Sequence, residues 1–205
     1  MMYFLSRLIY KIILYCFFDF KVTGCENIPK KGPFIMVSNH VSYADPAVMG
    51  VSCCTVPITF IAKSELFDKS LFGRWIKSVG CIAIPRHSGS PKPLRQALEK
   101  LKSGRVVGIF PEGTRSKDGK LQEAELGVGL LVVKSKAPVI PMHIWGTEKA
   151  LPIGQNHLTK AKVFAKIGKP VDIKGSEKFL DKKEAYLYVG KKIMKAIAEI
   201  RDAKA

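Results

Sequence analysis

The chain has 205 residues, with 34 Lys and Arg against 17 Asp and Glu, and a formal net charge of +17. Hydrophobic residues make up 47% and charged residues 25%, which is ordinary globular usage and excludes a disordered chain. The length predicts one domain with a substantial core. Because both halves of the sequence are net positive, the surface is expected to attract anionic lipid, nucleic acid or an acidic protein.

The cysteines and histidines indicate neither a disulfide framework nor a metal site. There are five cysteines, an odd number, two of them are adjacent, and no Cys-x-x-Cys pair occurs. This usage favours a reducing compartment. The four histidines show no metal-ligand spacing with one another or with cysteine. We therefore predict a chain without a bound metal.

Residues 1–20 are mostly apolar or aromatic, with Arg7 and Lys11 embedded. The stretch has too many charges for a spanning helix of ~20 apolar residues, and it lacks a signal-peptide cleavage site. Because Arg7 and Lys11 are four apart, they share a helical face, which favours an amphipathic helix in the membrane interface with its basic side toward the head groups. The tyrosines Tyr3, Tyr10 and Tyr15 suit that depth. A core helix that caps the domain and a single spanning helix are the alternatives.

Strand and helix patterns then alternate along the chain. Apolar runs predict strands over residues 34–38, 58–62, 81–84, 106–110, 139–145 and 162–167. Helices are predicted over roughly 46–53, 71–78, 90–102, 124–135 and 177–201. Asp45 is predicted to cap the first of these helices, with Pro46 at its first position. An apolar stripe on the last helix consists of Tyr186, Val189, Ile193, Ile197 and Ile200.

This alternation predicts an α/β fold. Near-continuous apolar strands between helices are typical of a sheet covered on both faces. We expect a single domain over residues 21–205 with a mixed, mostly parallel sheet, preceded by the membrane-associated helix over residues 1–20.

Polar residues follow several of the predicted strands, where ligands collect in α/β folds. His40 comes directly after the first strand, and Asp45 follows five residues later, so the carboxylate can orient the imidazole as a base. In the loop 110–116, Gly113 lets the backbone approach a ligand and Arg115 offers a fork for phosphate. Arg86 and Lys63 are further cations after strands. Taken singly, each of these residues also fits a surface role.

Together these segments resemble the glycerolipid acyltransferase family of phospholipid synthesis. Four motifs carry the resemblance, in order, between about Phe20 and Val171: Asn39, His40, Ser42 and Asp45; Gly80, Ile82 and Arg86; Phe110-Pro111-Glu112-Gly113-Thr114-Arg115-Ser116; and Pro138-Val139-Ile140-Pro141. Two positions depart from the family pattern. Pro85 stands where an acidic residue usually precedes the arginine, and Ala124-Glu125 stand where a Phe-Lys pair is common.

The resemblance implies transfer of a fatty acyl group from an acyl thioester to the free hydroxyl of 1-acylglycerol-3-phosphate, giving phosphatidic acid. His40 would be the general base and Asp45 would stabilise its imidazolium form. Glu112 would fix either its loop or the glycerol. The residues implied in holding or shaping the phosphate site are Lys63, Arg86, Gly113, Thr114 and Arg115. An acyl-enzyme on Ser42, and other acceptors (glycerol-3-phosphate, another lysophospholipid or a non-phosphate lipid), are the alternatives.

The resemblance also implies partners and a location. The donor would be acyl-CoA or an acyl carrier protein thioester, a co-substrate, so no cofactor is expected. The acceptor is a membrane lipid, which places the chain on an anionic membrane surface at the cytoplasmic face, as a monotopic or peripheral protein. A nucleic-acid-binding protein would not need the apolar first twenty residues, and a catalytically idle relative would not need both His40 and Asp45.

Overall fold

The structure is a computed structural model that describes residues 2–53, 56–68, 70–85, 91–155 and 157–203. Its helices are α1 (Met2–Phe17), α2 (Asp45–Ser52), α3 (Ser70–Ser78), α4 (Lys92–Lys102), α5 (Leu126–Ser135), α6 (Thr147–Ala150) and α7 (Lys182–Asp202). Its strands are β1 (Asp19–Thr23), β2 (Phe34–Ser38), β3 (Ile58–Lys63), β4 (Ile82–Ile84), β5 (Val106–Ile109), β6 (Val139–Trp145) and β7 (Lys162–Ile167).

The strands form one seven-stranded sheet in the order β1-β7-β6-β2-β5-β3-β4. Strands β2 to β6 run parallel to one another, whereas β7 is antiparallel to β6 and β1 is parallel to β7. The predicted single α/β domain with a mixed, mostly parallel sheet is therefore confirmed. All five residues of β2 are buried, as expected of the central strand of a sheet covered on both faces.

The sheet separates two hydrophobic cores because successive side chains of a strand point to opposite faces. Phe34 and Met36 of β2 pack in one core with residues of α1 and α2. Ile35 and Val37 pack in the other core with residues of α4, α5 and α7. The apolar stripe predicted on the last helix is buried in full, although α7 begins at Lys182, five residues later than predicted.

Parallel strands bring their carboxyl ends to one edge of the sheet. His40 follows β2, Phe110 follows β5 and Gly146 follows β6, so three loops distant in sequence meet at the centre of this edge. Lys63, the last residue of β3, lies at the same edge. The register pairs Phe60 with Gly108, which puts Lys63 at the level of the loop that begins at Phe110. Arg86 and Ser90 lie outside the described residues.

Two short elements were absent from the sequence prediction. Strand β1 overlaps the end of the stretch predicted to be helix up to residue 20, because the helix ends at Phe17 and Phe20 is buried in the sheet beside β7. Helix α6 is a single turn after β6. Gly146 precedes it with φ +84, and a Cβ there would lie on the carbonyl oxygen of Lys162, so only glycine fits.

Helix α1 packs with its more polar side inward, so the predicted orientation of Arg7 is wrong. Arg7 Nη2 lies 3.5 Å from the carbonyl oxygen of Val51, while Lys11 is exposed. Tyr3 and Tyr10, predicted at lipid depth, also face inward: the Tyr3 hydroxyl accepts a hydrogen bond from the Ile58 N–H (3.0 Å), and the ring of Tyr10 lies against Trp75.

The outer side of α1 is apolar. Its exposed residues include Phe4, Leu8, Ile12 and Phe17, each more than half exposed, with Leu5, Ile9 and Tyr15 beside them. Leu71 and Phe72 of α3, which contacts α1 through Trp75, are exposed as well. We call this set the α1 outer face. Within the described residues, no helix has the length and hydropathy needed to cross a bilayer.

Candidate active site

The predicted pair of His40 and Asp45 comes together at the carboxyl end of β2. Nδ1 of His40 lies 2.7 Å from Oδ2 of Asp45. The Asp45 side chain is fully buried, whereas 17% of the His40 side chain is exposed. Because Nδ1 is bonded to the carboxylate, Nε2 is the imidazole nitrogen that can exchange a proton with a bound molecule.

Asp45 does not cap α2 as predicted. Ala44 is the N-cap residue, and Asp45 begins the helix with Pro46 after it. The Asp45 carboxylate turns back into its own loop, where Oδ2 accepts hydrogen bonds from the N–H groups of Val41 and Ser42, both at 2.7 Å. These donors compensate the buried carboxylate for the loss of water.

The loop after β5 holds the backbone of His40 on both sides. The His40 N–H donates to Oε1 of Glu112 (3.0 Å), and the His40 carbonyl oxygen accepts from the Ser116 N–H (2.8 Å). The Phe110 ring is stacked on the imidazole at 4.1 Å between centroids, with 18° between the planes. Two of the four motifs that carry the family resemblance, around His40 and around Glu112, are thus joined by hydrogen bonds and ring stacking.

Glu112 is almost completely buried, at 3% exposure. Its second carboxylate oxygen accepts from the Gln122 N–H (3.2 Å), so both oxygens are occupied by backbone donors. Burial raises the pKa of this carboxyl above its ordinary value, and the N–H donors of His40 and Gln122 partly offset the rise. Of the two roles predicted for Glu112, this geometry favours fixing the loop.

Arg115 stacks on the ring of Tyr43, with its guanidinium carbon 3.6 Å from the ring centroid. Its Nη1 is buried and has no hydrogen-bond partner among residues 2–53, 56–68, 70–85, 91–155 and 157–203. No ion pair joins Arg115 to Glu112, both of which lie in the described chain. The guanidinium therefore has an N–H donor available beside the loop that carries His40 and Tyr43. An available donor of this kind is expected of a group that binds an anion.

Gly113 and Thr114 are exposed at the turn of the same loop. Gly113 has φ +67, and a Cβ there would lie 2.9 Å from Cγ of Glu125. Glycine is thus required for both the conformation and the space. The turn presents its backbone on the side of Arg115, at the sheet edge that also carries Lys63.

Ser42 braces the loop after β2, residues 39–44, which carries His40. Its hydroxyl donates to the carbonyl oxygen of Leu151 (2.8 Å) and accepts from the Ala44 N–H (3.1 Å). No hydrogen bond joins the Ser42 hydroxyl to the imidazole of His40; both residues are in the described chain. This geometry gives Ser42 no base for a nucleophilic role.

Sequence reasoning named Asn39 only as part of a motif, without a role, and did not single out Tyr43 or Thr147. The Asn39 side chain makes two hydrogen bonds with the backbone of Ile144 in β6. Its Oδ1 accepts from the Ile144 N–H (2.8 Å), and its Nδ2 donates to the Ile144 carbonyl oxygen (3.0 Å). Tyr43 carries the ring under Arg115. Thr147 donates from its hydroxyl to Oδ1 of Asp45 at 2.6 Å. The only signal for Thr147 is its place after a strand and a glycine, which is too weak to single it out.

Comparisons with known proteins agree on one family. A family model described as Acyltransferase matches residues 19–145. A 1-acyl-sn-glycerol-3-phosphate acyltransferase of Bacillus subtilis is 30% identical over 162 residues, which cover 78% of this chain and 78% of that protein. The chloroplastic 1-acyl-sn-glycerol-3-phosphate acyltransferase of Arabidopsis thaliana is 31% identical over 173 residues, 82% of this chain. The chain spans about half the length of this and a second plant relative, 48% and 50%.

A solved structure agrees in fold over nearly the whole chain. The crystal structure of the 1-acyl-sn-glycerophosphate (LPA) acyltransferase, PlsC, from Thermotoga maritima superposes with a TM-score of 0.77. The two sequences are 34% identical, and the match covers 99% of this chain and 81% of that chain.

Proposed function

This chain belongs to the acyltransferase family, and we propose that it transfers a fatty acyl group from an acyl thioester to the free hydroxyl of 1-acylglycerol-3-phosphate, giving phosphatidic acid. The observation that carries the proposal is the His40 imidazole, which is bonded through Nδ1 to a buried carboxylate and leaves Nε2 available. The names of the relatives support the choice of acceptor.

In the proposed mechanism, the acceptor hydroxyl is itself the nucleophile. Nε2 of His40 removes the hydroxyl proton while the oxygen attacks the thioester carbonyl, and Asp45 stabilises the imidazolium that forms. The tetrahedral intermediate then collapses, the carbon–sulfur bond breaks, and the leaving thiolate takes the proton from the imidazolium. The products are the new ester and a free thiol, and no acyl-enzyme is formed. The donor is acyl-CoA or an acyl carrier protein thioester, and no cofactor takes part.

The acceptor phosphate is proposed to bind at the loop after β5. Arg115 Nη1 supplies a donor that has no partner within the part of the chain that the structure describes, and Gly113 and Thr114 provide an exposed turn beside it. Lys63 adds positive charge from the same edge of the sheet, and Arg86 is proposed as a further phosphate ligand from the segment after β4. An unpaired guanidinium donor supports a phosphate-bearing acceptor over a non-phosphate lipid.

An acyl-transfer assay with purified protein tests this function. CoA and carrier-protein thioesters are offered with four acceptors: 1-acylglycerol-3-phosphate, glycerol-3-phosphate, a lysophospholipid with a substituted phosphate, and a monoacylglycerol. We expect the first acceptor to give the highest kcat/KM. The matched control is His40→Ala, whose kcat should be about 10²–10⁴-fold lower. A wild-type protein that prefers the monoacylglycerol would contradict the phosphate site.

We further propose that the α1 outer face lies in the membrane interface. Exposed apolar side chains on one helix with a single exposed cation, Lys11, bury apolar area at the boundary of the acyl chains. The helix has 16 residues, about 24 Å at 1.5 Å per residue, which is shorter than the ~30 Å hydrocarbon core. The net charge of +17 adds attraction to anionic lipid.

Vesicle flotation tests this interface. The variant Leu8→Ser/Ile12→Ser removes two side chains of the α1 outer face, and Leu187→Ser on α7, exposed to 45%, is the matched control. We expect the double variant to lose most binding to vesicles with anionic lipid, while Leu187→Ser binds like the wild type. Higher salt should weaken binding of all three proteins. Equal binding by the double variant and the control would refute the assignment of this face.

A further inference from the structure

Thr147 reaches the catalytic pair from a part of the chain that carries none of the four motifs. It is the first residue of α6, is fully buried, and lies 102 residues after Asp45. Its hydroxyl donates to Oδ1 of Asp45 at 2.6 Å, the short distance typical of a bond to a charged acceptor. The other three donors to this carboxylate, His40 Nδ1 and two backbone N–H groups, all bond to Oδ2.

The two carboxylate oxygens of Asp45 therefore accept hydrogen bonds from two different parts of the chain. Oδ2 is held by its own loop, whereas Oδ1 is held by Thr147. Because a carboxylate rotates about a single bond, a donor on Oδ1 fixes the plane in which Oδ2 meets the imidazole. Without that donor, Oδ1 would be a buried charged oxygen with no compensating hydrogen bond.

Helix α6 is itself attached to the catalytic loop at both ends. Thr147 bonds to Asp45 at its start, and the carbonyl oxygen of Leu151, just after it, accepts from the Ser42 hydroxyl. Two features set the position of α6. Position 146 accepts only glycine, and the Thr159 N–H donates a hydrogen bond to the carbonyl oxygen of Ala150. A rigid support of this kind suits a group that orients a catalytic carboxylate.

We infer that Thr147 is a positioning residue for acyl transfer: its hydroxyl fixes the Asp45 carboxylate and so sets how strongly that carboxylate stabilises the protonated form of His40. This inference rests on the proposed function for its kinetic consequence. A donor on Oδ1 withdraws negative charge from Oδ2, so its removal makes the carboxylate a stronger partner for the imidazolium.

Other charges act on the same pair and stay constant in the test. Glu112, from the loop after β5, acts electrostatically on His40 and Asp45, and His143, from β6, acts on Asp45. Arg115 lies over Tyr43 within the catalytic loop. Because none of these groups bonds to Thr147, a change confined to the Thr147 hydroxyl alters only the donor to Oδ1.

The test compares Thr147→Val, which keeps the shape, with Thr147→Ser, which keeps the hydroxyl. Thr59→Val, at a buried threonine of β3, is the matched control for the loss of a buried hydroxyl. The protonation of His40 is followed by NMR of its ring 13Cε1 signal against pH, assigned by its disappearance in His40→Gln. We expect Thr147→Val to move the His40 titration midpoint upward by a few tenths of a pH unit or more, and Thr147→Ser and Thr59→Val to leave it unchanged.

Kinetics give the second readout. In Thr147→Val, kcat should fall about tenfold or more, the acidic limb of the kcat profile should move to higher pH, and both KM values should stay within about twofold. Thr147→Ser should recover most of kcat. If no acceptor is acylated by the wild type, the proposed function fails, but the NMR titration still decides the role of Thr147.

The inference is overturned if the titration curve of Thr147→Val coincides with those of the wild type and Thr59→Val, or if Thr147→Ser is as impaired as Thr147→Val. Should Thr147→Val not fold, Thr147→Ala and Thr147→Ser form a second pair that differs only by the hydroxyl. Identical titration curves for that pair would also overturn it.

Discussion

The loop after β2 and the loop after β5 meet at one edge of the sheet, yet their polar groups are satisfied to different degrees. In the first loop, the Asp45 carboxylate has four donors and the Ser42 hydroxyl has two partners. In the second loop, Arg115 keeps a buried donor that has no partner among the described residues, and Gly113 and Thr114 are exposed. The group proposed to perform the chemistry is thus preorganised, whereas the group proposed to bind phosphate would be completed by the ligand.

The largest expected effect comes from removing the preorganised base. His40→Ala should lower kcat by about 10²–10⁴-fold, because general-base catalysis is typically worth that much. The thermal midpoint should change little, since the His40 side chain is partly exposed and lies in a loop. The measurement is kcat together with calorimetry. A His40→Ala variant with near wild-type kcat would contradict the role of His40 as the general base.

The next effect concerns the unsatisfied loop. Arg115→Ala should raise KM for the phosphate acceptor about 10- to 150-fold, as expected for a lost hydrogen bond to a charged group of 1.5–3 kcal/mol. The KM for the acyl donor should stay nearly constant. Arg115→Lys should recover only part, because an ammonium lacks the planar fork. Steady-state kinetics with each substrate varied in turn measures the acceptor KM and the donor KM separately. A defect confined to the donor KM would show that this loop binds the acyl thioester instead of the phosphate acceptor.

A smaller effect tests the contact between the two loops. Tyr43 is 55% exposed and lies under the Arg115 guanidinium. A cation–π contact of about 0.5–2 kcal/mol predicts that Tyr43→Ala raises the acceptor KM about 2- to 30-fold. Tyr43→Phe, which retains the ring, should behave like the wild type. In the Arg115→Ala background, Tyr43→Ala should add little, and full additivity of the two changes would show that they act separately.

The smallest effect is a pH dependence of stability at Glu112. Because burial raises its pKa in the folded state, the folded chain holds this proton more tightly than the unfolded chain. The ordinary pKa of this carboxyl is 4.5. As the pH rises from 4.5 through the raised pKa of the folded state, this contribution to the free energy of unfolding is lost. Glu112→Gln lacks this contribution, although it also weakens a hydrogen bond. Urea unfolding across the pH range should show a steeper decline for the wild type, and parallel curves would contradict the assignment.

The sequence predicts the central strands and the catalytic pair for related reasons. A continuous apolar run such as Phe34–Ser38 is typical of a strand that is buried on both faces of a sheet. A histidine directly after such a run must lie at the sheet edge, and an aspartate five residues on can return to it. Four motifs in order then identify the family, which the comparisons confirm.

What the sequence does not predict depends on contacts between distant segments. Both sides of α1 contain apolar residues, so the sequence could not decide that Arg7 faces inward, toward Val51. The capping role predicted for Asp45 is wrong because tertiary donors, Thr147 among them, draw the carboxylate away from its helix. Strand β1 is a short segment of only five residues, Asp19–Thr23, directly after the apolar run of α1, and its pairing with β7, far along the chain, defines it as a strand.

The pairing of β1 with β7 fixes the order in which the domain can be completed during synthesis. Asp19 pairs with Lys162, and β1 is the edge strand next to β7 in the sheet formed by the described residues. At about 5–20 residues per second, the ribosome needs on the order of 10–30 s to deliver the partner strand. For most of that interval α1, with its apolar side, is outside the ribosome and Thr147 has not been made. The α1 outer face, if it lies in the membrane interface as proposed, can therefore meet a bilayer before Thr147 can bond to Asp45.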